Sequence, residues 1–250
     1  MIDTHAHLQG LDGGPDAAIE RARSAGVTQI ICIGTGIEST NAAVGLAERN
    51  PGVFATAGVH PHDAASYSDD VECALDELLG NPLVVAVGEC GLDYFRNRAT
   101  RADQLSAFRG QVALAEQHQK PVVIHSREAA DDTLAVLRNA RCPVVLHCFS
   151  LPAELDEIVE RRFACSFAGN VTYPAAADLA DAAARVPDDL ILLETDSPYL
   201  TPVPHRGTPN RPERVLDTLA FVAHRRGVEA NVLAETVRRN ASRLFGLAEQ

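Results

Sequence analysis

The feature that most limits the fold is a recurrence: eight short apolar, β-branched runs follow one another along the whole chain. They are MIDTHAH (1–7), TQIICIG (28–34), VFATAGV (53–59), LVVAVGE (83–89), PVVIHS (121–126), PVVLHC (143–148), FACSFAG (163–169) and LILLET (190–195). Continuous apolar strands of this kind belong in a parallel sheet covered by helices, because both faces of each strand are buried. Segments of helical composition and spacing lie between them, at 15–25, 38–49, 69–79, 101–118, 127–140, 152–161 and 174–185. Two more, 211–226 and 229–245, follow the eighth run and are parted by Gly227. Eight βα units in 250 residues match a single (β/α)8 TIM barrel over residues 1–250 with C-terminal helices. An open doubly wound sheet is the competing arrangement, but no G-x-G-x-x-G follows the first strand.

A hydrophobic content of 46% is enough for a substantial core in a chain of this length. Lys and Arg number 22 against 34 Asp and Glu, a formal charge of -12, which excludes a protein that coats DNA regardless of sequence. Any nucleic-acid contact must therefore be local. No apolar run is long enough to span a bilayer, and the N-terminus lacks the basic and apolar regions of a signal peptide, so a cytoplasmic location is expected. Cys32, Cys73, Cys90, Cys142, Cys148 and Cys165 form no C-x-x-C pair and read as reduced, mostly buried thiols.

In a barrel, reactive side chains belong at the carboxyl ends of strands. His5 and His7 end the first run, two positions apart and so on one face of a strand. His60 and His62 follow the third, Glu89 ends the fourth, His125 and His147 end the fifth and sixth, and Asp196 follows the eighth. A lone histidine after an apolar strand is usually a packed or capping residue, and His118, His205 and His224 take that reading. Convergence of so many ligand types on one rim points instead to metal. Four imidazoles and two carboxylates exceed what one tetrahedral ion with an open position uses, and they suit two divalent ions bridged by a carboxylate and a water. Hydrolysis is the matching reaction. Glu89, from the middle of the barrel, is placed to bridge, and Asp196 can both touch a metal and accept a proton from the water. Asp3 reads as a supporting residue near the first strand rather than a ligand.

The segments MIDTHAHL, AGVHPHDA, GECGLDY, VVIHSREA, LHCFS, SFAGNVTY and LLETDSPYLTPVPHRG together resemble the TatD family of metal-dependent deoxyribonucleases, within the amidohydrolase-type barrel superfamily. The likeness implies that His5, His7 and Asp196 bind one metal, that Glu89 bridges, and that His125 and His147 hold the second. It places His60 beside the reacting phosphate. Arg127 and Arg206 are candidates for gripping phosphate, although solvated rim arginines would look the same. Arg96, Arg98 and Arg101 form a local basic loop that could guide a strand to the site. The ions are expected among Zn²⁺, Mn²⁺, Ni²⁺ and Mg²⁺. Leu151 and Pro152 stand where the family commonly has a glycine after HCFS, which bears on the shape of the substrate pocket; Pro152 could instead simply open a helix.

The resemblance implies a 3′-5′ exonuclease-type phosphodiesterase acting on the single-stranded ends of DNA. A metal-dependent amide or ester hydrolase, such as an aminoacyl-tRNA deacylase, is the alternative, since the same metal chemistry serves a carbonyl carbon. A purely structural metal site is the third reading, and a structural site would normally be closed with fewer ligands.

Overall fold

Parallel neighbours need a crossover between them, and this chain supplies a helix at nearly every return. The computed structural model describes residues 1–247, so residues 248–250 of the expected domain lie outside the described residues. The strands are β1 (Ile2–Ala6), β2 (Gln29–Cys32), β3 (Val53–Ala57), β4 (Val84–Asp93), β5 (Val122–Arg127), β6 (Val144–Leu146), β7 (Ala164–Phe167) and β8 (Ile191–Leu193). The helices are α1 (Pro15–Ser24), α2 (Ile37–Arg49), α3 (Asp69–Leu79), α4 (Arg101–Gln117), α5 (Ala130–Val136), α6 (Leu155–Glu160), α7 (Ala177–Arg185), α8 (Val215–Arg226) and α9 (Ala230–Phe245). The eight strands lie side by side in sequence order, each parallel to the next. This is the expected (β/α)8 barrel.

The seam between β8 and β1 is closed by the chain just beyond β8. The Asp196 amide donates to the His5 carbonyl at 2.9 Å and the His7 amide to the Ser197 carbonyl at 2.8 Å, with Ala6 and Ser197 forming a parallel bridge. The Thr4 hydroxyl adds a bond to the Leu193 carbonyl at 3.0 Å. The same few residues therefore complete the barrel and carry the expected ligands. Helix α9 covers this side, where Asn240 Nδ2 donates to the carbonyls of Asp188 and Ile191 at 2.7 and 2.9 Å.

Elements end where local chemistry ends them. Thr100 caps α4 by accepting the Asp103 amide at 3.1 Å, Ser68 caps α3, and α8 and α9 stop at left-handed Gly227 and Gly246. The strands' inward and outward faces both pack into one continuous apolar core that includes Ile2, Ile31, Val87, Ile124 and Leu192 with Leu46, Leu75, Phe108 and Val222 from the helices. Burial on both faces is the reason the runs lack alternation.

Two boundaries differ from the sequence reading. The helix expected at 127–140 is replaced by α5 and a short 3-10 turn at 137–139, because Arg127 still belongs to β5 and Glu128 turns the chain with φ of +53°. The strand expected to stop at Glu89 runs on to Asp93, and its register with β5 shifts between Val87 and Cys90. Gly88 and Gly91 make that possible. They have φ of +135° and +130°, and a β-carbon on them would lie 2.5 Å from the Val123 carbonyl oxygen and 2.1 Å from that of His125. Pro152 opens a 3-10 turn before α6, and Leu151 is buried in the core.

Candidate active site

The irregular stretch of β4 brings Glu89 to the centre of the barrel mouth, where every ligand expected from the sequence meets it or its neighbours. The two carboxylate oxygens of Glu89 face different partners. Oε2 lies 3.4 Å from His5 Nε2 and 3.6 Å from His7 Nε2. Oε1 lies 2.9 Å from His125 Nδ1, 2.9 Å from His147 Nε2 and 3.4 Å from His60 Nε2. Asp196, held by its backbone bond to His5, directs Oδ1 toward His7 Nε2 at 3.3 Å and His5 Nε2 at 3.7 Å. Among the described residues, three sets could each hold a metal ion, His5, His7 and Asp196, then His5, Glu89 and His147, then His60, Glu89 and His125; within each set the donor atoms lie within 4.8 Å of one another. His125 thus shares a set with His60, while the His147 ring stacks on that of His5, with centroids 3.8 Å apart and planes inclined by 12°.

The electrostatics follow from putting two carboxylates among imidazoles away from water. Burial alone would raise the Glu89 carboxyl, but His147, His60 and His125 hold it well below the usual range. Burial opposes protonation of His147, yet Glu89 and Glu194 raise its basicity well above the ordinary value. His5 moves the other way, lowered by burial and then by the His147 charge. Asp196 is kept below its usual value against burial by its bond to His7 and the charge of His147. The site therefore holds anionic carboxylates and nitrogen donors at close range, the set that borderline divalent cations prefer.

Supporting residues complete the arrangement, and the sequence reading named few of them. Asp3 touches none of these donor atoms: it accepts the amides of His5 (3.3 Å) and Thr195 (2.9 Å) and the Thr195 hydroxyl (2.6 Å), and burial pushes its carboxyl up to about 8. Asp93 Oδ2 contacts His125 Nε2 at 3.2 Å and His62 Nε2 at 2.9 Å, so it fixes the His125 ring with Nδ1 toward Glu89. Glu194 is buried and its Oε1 receives His147 Nδ1 at 3.0 Å and the Cys148 amide at 2.8 Å. Both acids sit inside quoted motifs, GECGLDY and LLETDSPYL. The available signal was their spacing from a ligand: Asp93 lies four residues past Glu89 and Glu194 two before Asp196.

The expected phosphate-gripping arginines stand outside the donor cluster. The Arg127 guanidinium lies 4.0 Å above the centre of the Phe95 ring, and that of Arg206 lies 3.9 Å above Tyr173. Arg96 approaches Phe95 at 5.5 Å and Arg101 lies over Tyr94 at 4.0 Å, while Arg98 is exposed. His118 pairs with Asp76 at 2.7 Å, and His205 lies 3.4 Å from Asp217, as ordinary surface histidines do.

A parallel barrel whose carboxyl-terminal mouth gathers imidazoles and carboxylates in this way defines a class, the metal-dependent barrel hydrolases. Comparison with known proteins narrows it. Residues 2–246 match the family described as TatD related DNase. A protein of Musicola paradisiaca named 3′-5′ ssDNA/RNA exonuclease TatD is 39% identical over 262 residues, spanning 100% of this chain and 99% of that one. The Escherichia coli K12 metal-dependent hydrolase YcfH is 36% identical over 254 residues, with 98% and 95% covered. Among solved structures, the TatD homolog YJJV of Escherichia coli K12 superposes with a TM-score of 0.92 at 31% identity, covering 99% of this chain and 98% of its own. The chain belongs to the TatD family of metal-dependent hydrolases.

Proposed function

We propose that this protein is a two-metal phosphodiesterase that removes nucleotides from the single-stranded ends of DNA in the 3′-5′ direction. The observation that carries the reading is the division of Glu89, with Oε2 turned to His5 and His7 and Oε1 to His125, His147 and His60. A carboxylate shared in that way suits a pair of cations better than one. His5, His7 and Asp196 would hold the first ion, His125 and His147 the second, and Glu89 both. Ions held there would lower the pKa of a shared water and offset charge on a phosphoryl oxygen.

The remaining work falls to this chain's own groups. Asp196 uses Oδ1 for both imidazole contacts, which leaves Oδ2 to accept the proton of the attacking water as general base. His60 Nδ1 accepts the His62 amide at 3.1 Å, so Nε2 carries the proton and can donate to a phosphate oxygen. Arg127 and Arg206, both exposed, would meet the phosphates that follow. The relative named 3′-5′ ssDNA/RNA exonuclease TatD supports the choice of substrate and direction.

Metal analysis of the purified protein, combined with hydrolysis of a 3′-labelled and a 5′-labelled single strand in Mg²⁺, Mn²⁺ or Zn²⁺, tests this reading. About two ions per chain and mononucleotides released from the 3′ end are expected. A metal-loaded protein inert on both strands but active on an acylated substrate would replace it with an amide or ester hydrolase.

A further inference from the structure

An acidic protein has little reason to leave arginines without carboxylate partners. Several of the arginines of this molecule are paired: Arg49, Arg162, Arg185, Arg225 and Arg226 each meet an aspartate. Among the described residues, Arg96, Arg98, Arg101, Arg127 and Arg206 make no ion pair, and four of these five lie over aromatic rings instead. All of them are exposed, on a chain whose formal charge is -12. Cations left open in this way match an anion supplied from outside.

The large apolar side chains left in water add a second requirement. Two aromatic ones are exposed, Phe95 at 50% and Tyr199 at 61%. Phe95 follows β4 two residues after Asp93, the acid that holds His125, and carries the Arg127 guanidinium over its ring. Tyr199 follows Asp196 by three residues and stands edge-on to His7, with centroids 5.9 Å apart and planes at 72°. In a barrel of order β1 to β8, the β4–β5 edge lies across the mouth from the β8–β1 edge. The two residues therefore follow strands on opposite sides of the barrel mouth. A ligand that satisfies both observations alternates anionic groups with flat apolar ones.

On the phosphodiesterase reading above, we propose that Phe95, together with the Arg127 guanidinium, and Tyr199 are stacking platforms for the unpaired bases on either side of the scissile phosphate. Every base has a π-face, so such platforms tolerate any sequence, and they reject paired ends whose bases are already stacked on one another. Phosphates between the bases would meet Arg127, Arg96 and Arg98 on one side and Arg206 on the other.

The test uses metal-loaded protein and a short single strand with phosphorothioate terminal linkages, which slow cleavage, carrying 2-aminopurine at the end or one position in. The chain has no tryptophan, so the probe is read without that background. Stacking quenches 2-aminopurine, and quenching is expected on binding. Phe95→Leu and Tyr199→Leu should each weaken binding roughly 5- to 150-fold and relieve the quenching, as should abasic sites in the strand with the unaltered protein. Phe95→Tyr and Tyr199→Phe should retain tight binding. If the unaltered protein binds and cleaves single strands while the leucine variants and abasic strands bind equally well, the platforms are overturned and the phosphodiesterase reading stands. If it neither binds nor cleaves them, both fall together.

Discussion

Glu194 offers a perturbation whose size can be worked out. Its Oε1 is the acceptor for two donors shielded from water, the buried His147 Nδ1 at 3.0 Å and the part-buried Cys148 amide at 2.8 Å. Glu194→Ala strands both. An unpaired buried donor costs about 1–3 kcal/mol, so two cost about 2–6 kcal/mol. At roughly 2–4 °C per kcal/mol for a chain of this size, the melting temperature should fall by about 4–24 °C. Glu194→Gln separates geometry from charge. The amide oxygen can still accept from both donors, so the melting temperature should stay near that of the parent, while His147 loses the carboxylate that raises its basicity. Changes to residues that orient a metal-binding histidine typically weaken affinity or activity by about 10- to 100-fold. Thermal melting of the metal-free proteins and calorimetric titration with Zn²⁺ or Mn²⁺ read the two effects apart. If Glu194→Ala melts and binds metal like the parent, Glu194 does not orient His147 and the reasoning fails.

Other outcomes follow from the same site. Asp196→Asn should abolish turnover with metal content largely retained, measured by metal analysis beside a rate assay; complete loss of metal would make Asp196 a structural ligand and not the base. The double change His5→Ala with His7→Ala should weaken one ion more than the other in a metal titration, and equal loss of both would contradict the ligand assignment. In metal-free protein, His147 has a folded pKa well above 6.5, so its stabilising contribution is complete below pH 6.5 and disappears as the pH rises through that higher value. Denaturant melts across pH should show this slope, and Glu194→Gln should lessen it. Far from the site, Lys120 Nζ donates to the carbonyls of Leu79, Asn81 and Val84. Lys120→Met should lower stability by about 1–3 kcal/mol, seen as a lower melting temperature with catalytic rate unchanged.

The barrel was legible in the sequence because its physics is local: strands buried on both faces read as unbroken apolar runs, and each of the eight runs overlaps a strand. The convergence of His5, His7, Glu89, His125, His147 and Asp196 was legible because a barrel sends strand ends to one rim. Distance across the barrel was not. Nothing in the spacing of His60 and His125 says that they share a donor set, or that His147 lies flat against His5. Asp93 and Glu194 were hidden for a related reason, since the atoms they orient arrive from other strands. The extension of β4 was masked by Gly91, which reads as a break in a run yet is the residue that lets the strand pass close to β5.

The seam at Asp196 and Ser197 gives the site a place in time. Asp3 and Thr195, bonded to each other beside the ligands, are 192 positions apart. At about 5–20 residues per second, roughly 10–40 s of synthesis separate the two halves of the site. Through that interval a nascent chain has its N-terminal histidine pair but not the aspartate that completes its donor set, nor the backbone that closes the barrel. Capture of metal by the full donor set would thus report that the chain has been made and folded through to its last strand, since an incomplete polypeptide lacks part of that set.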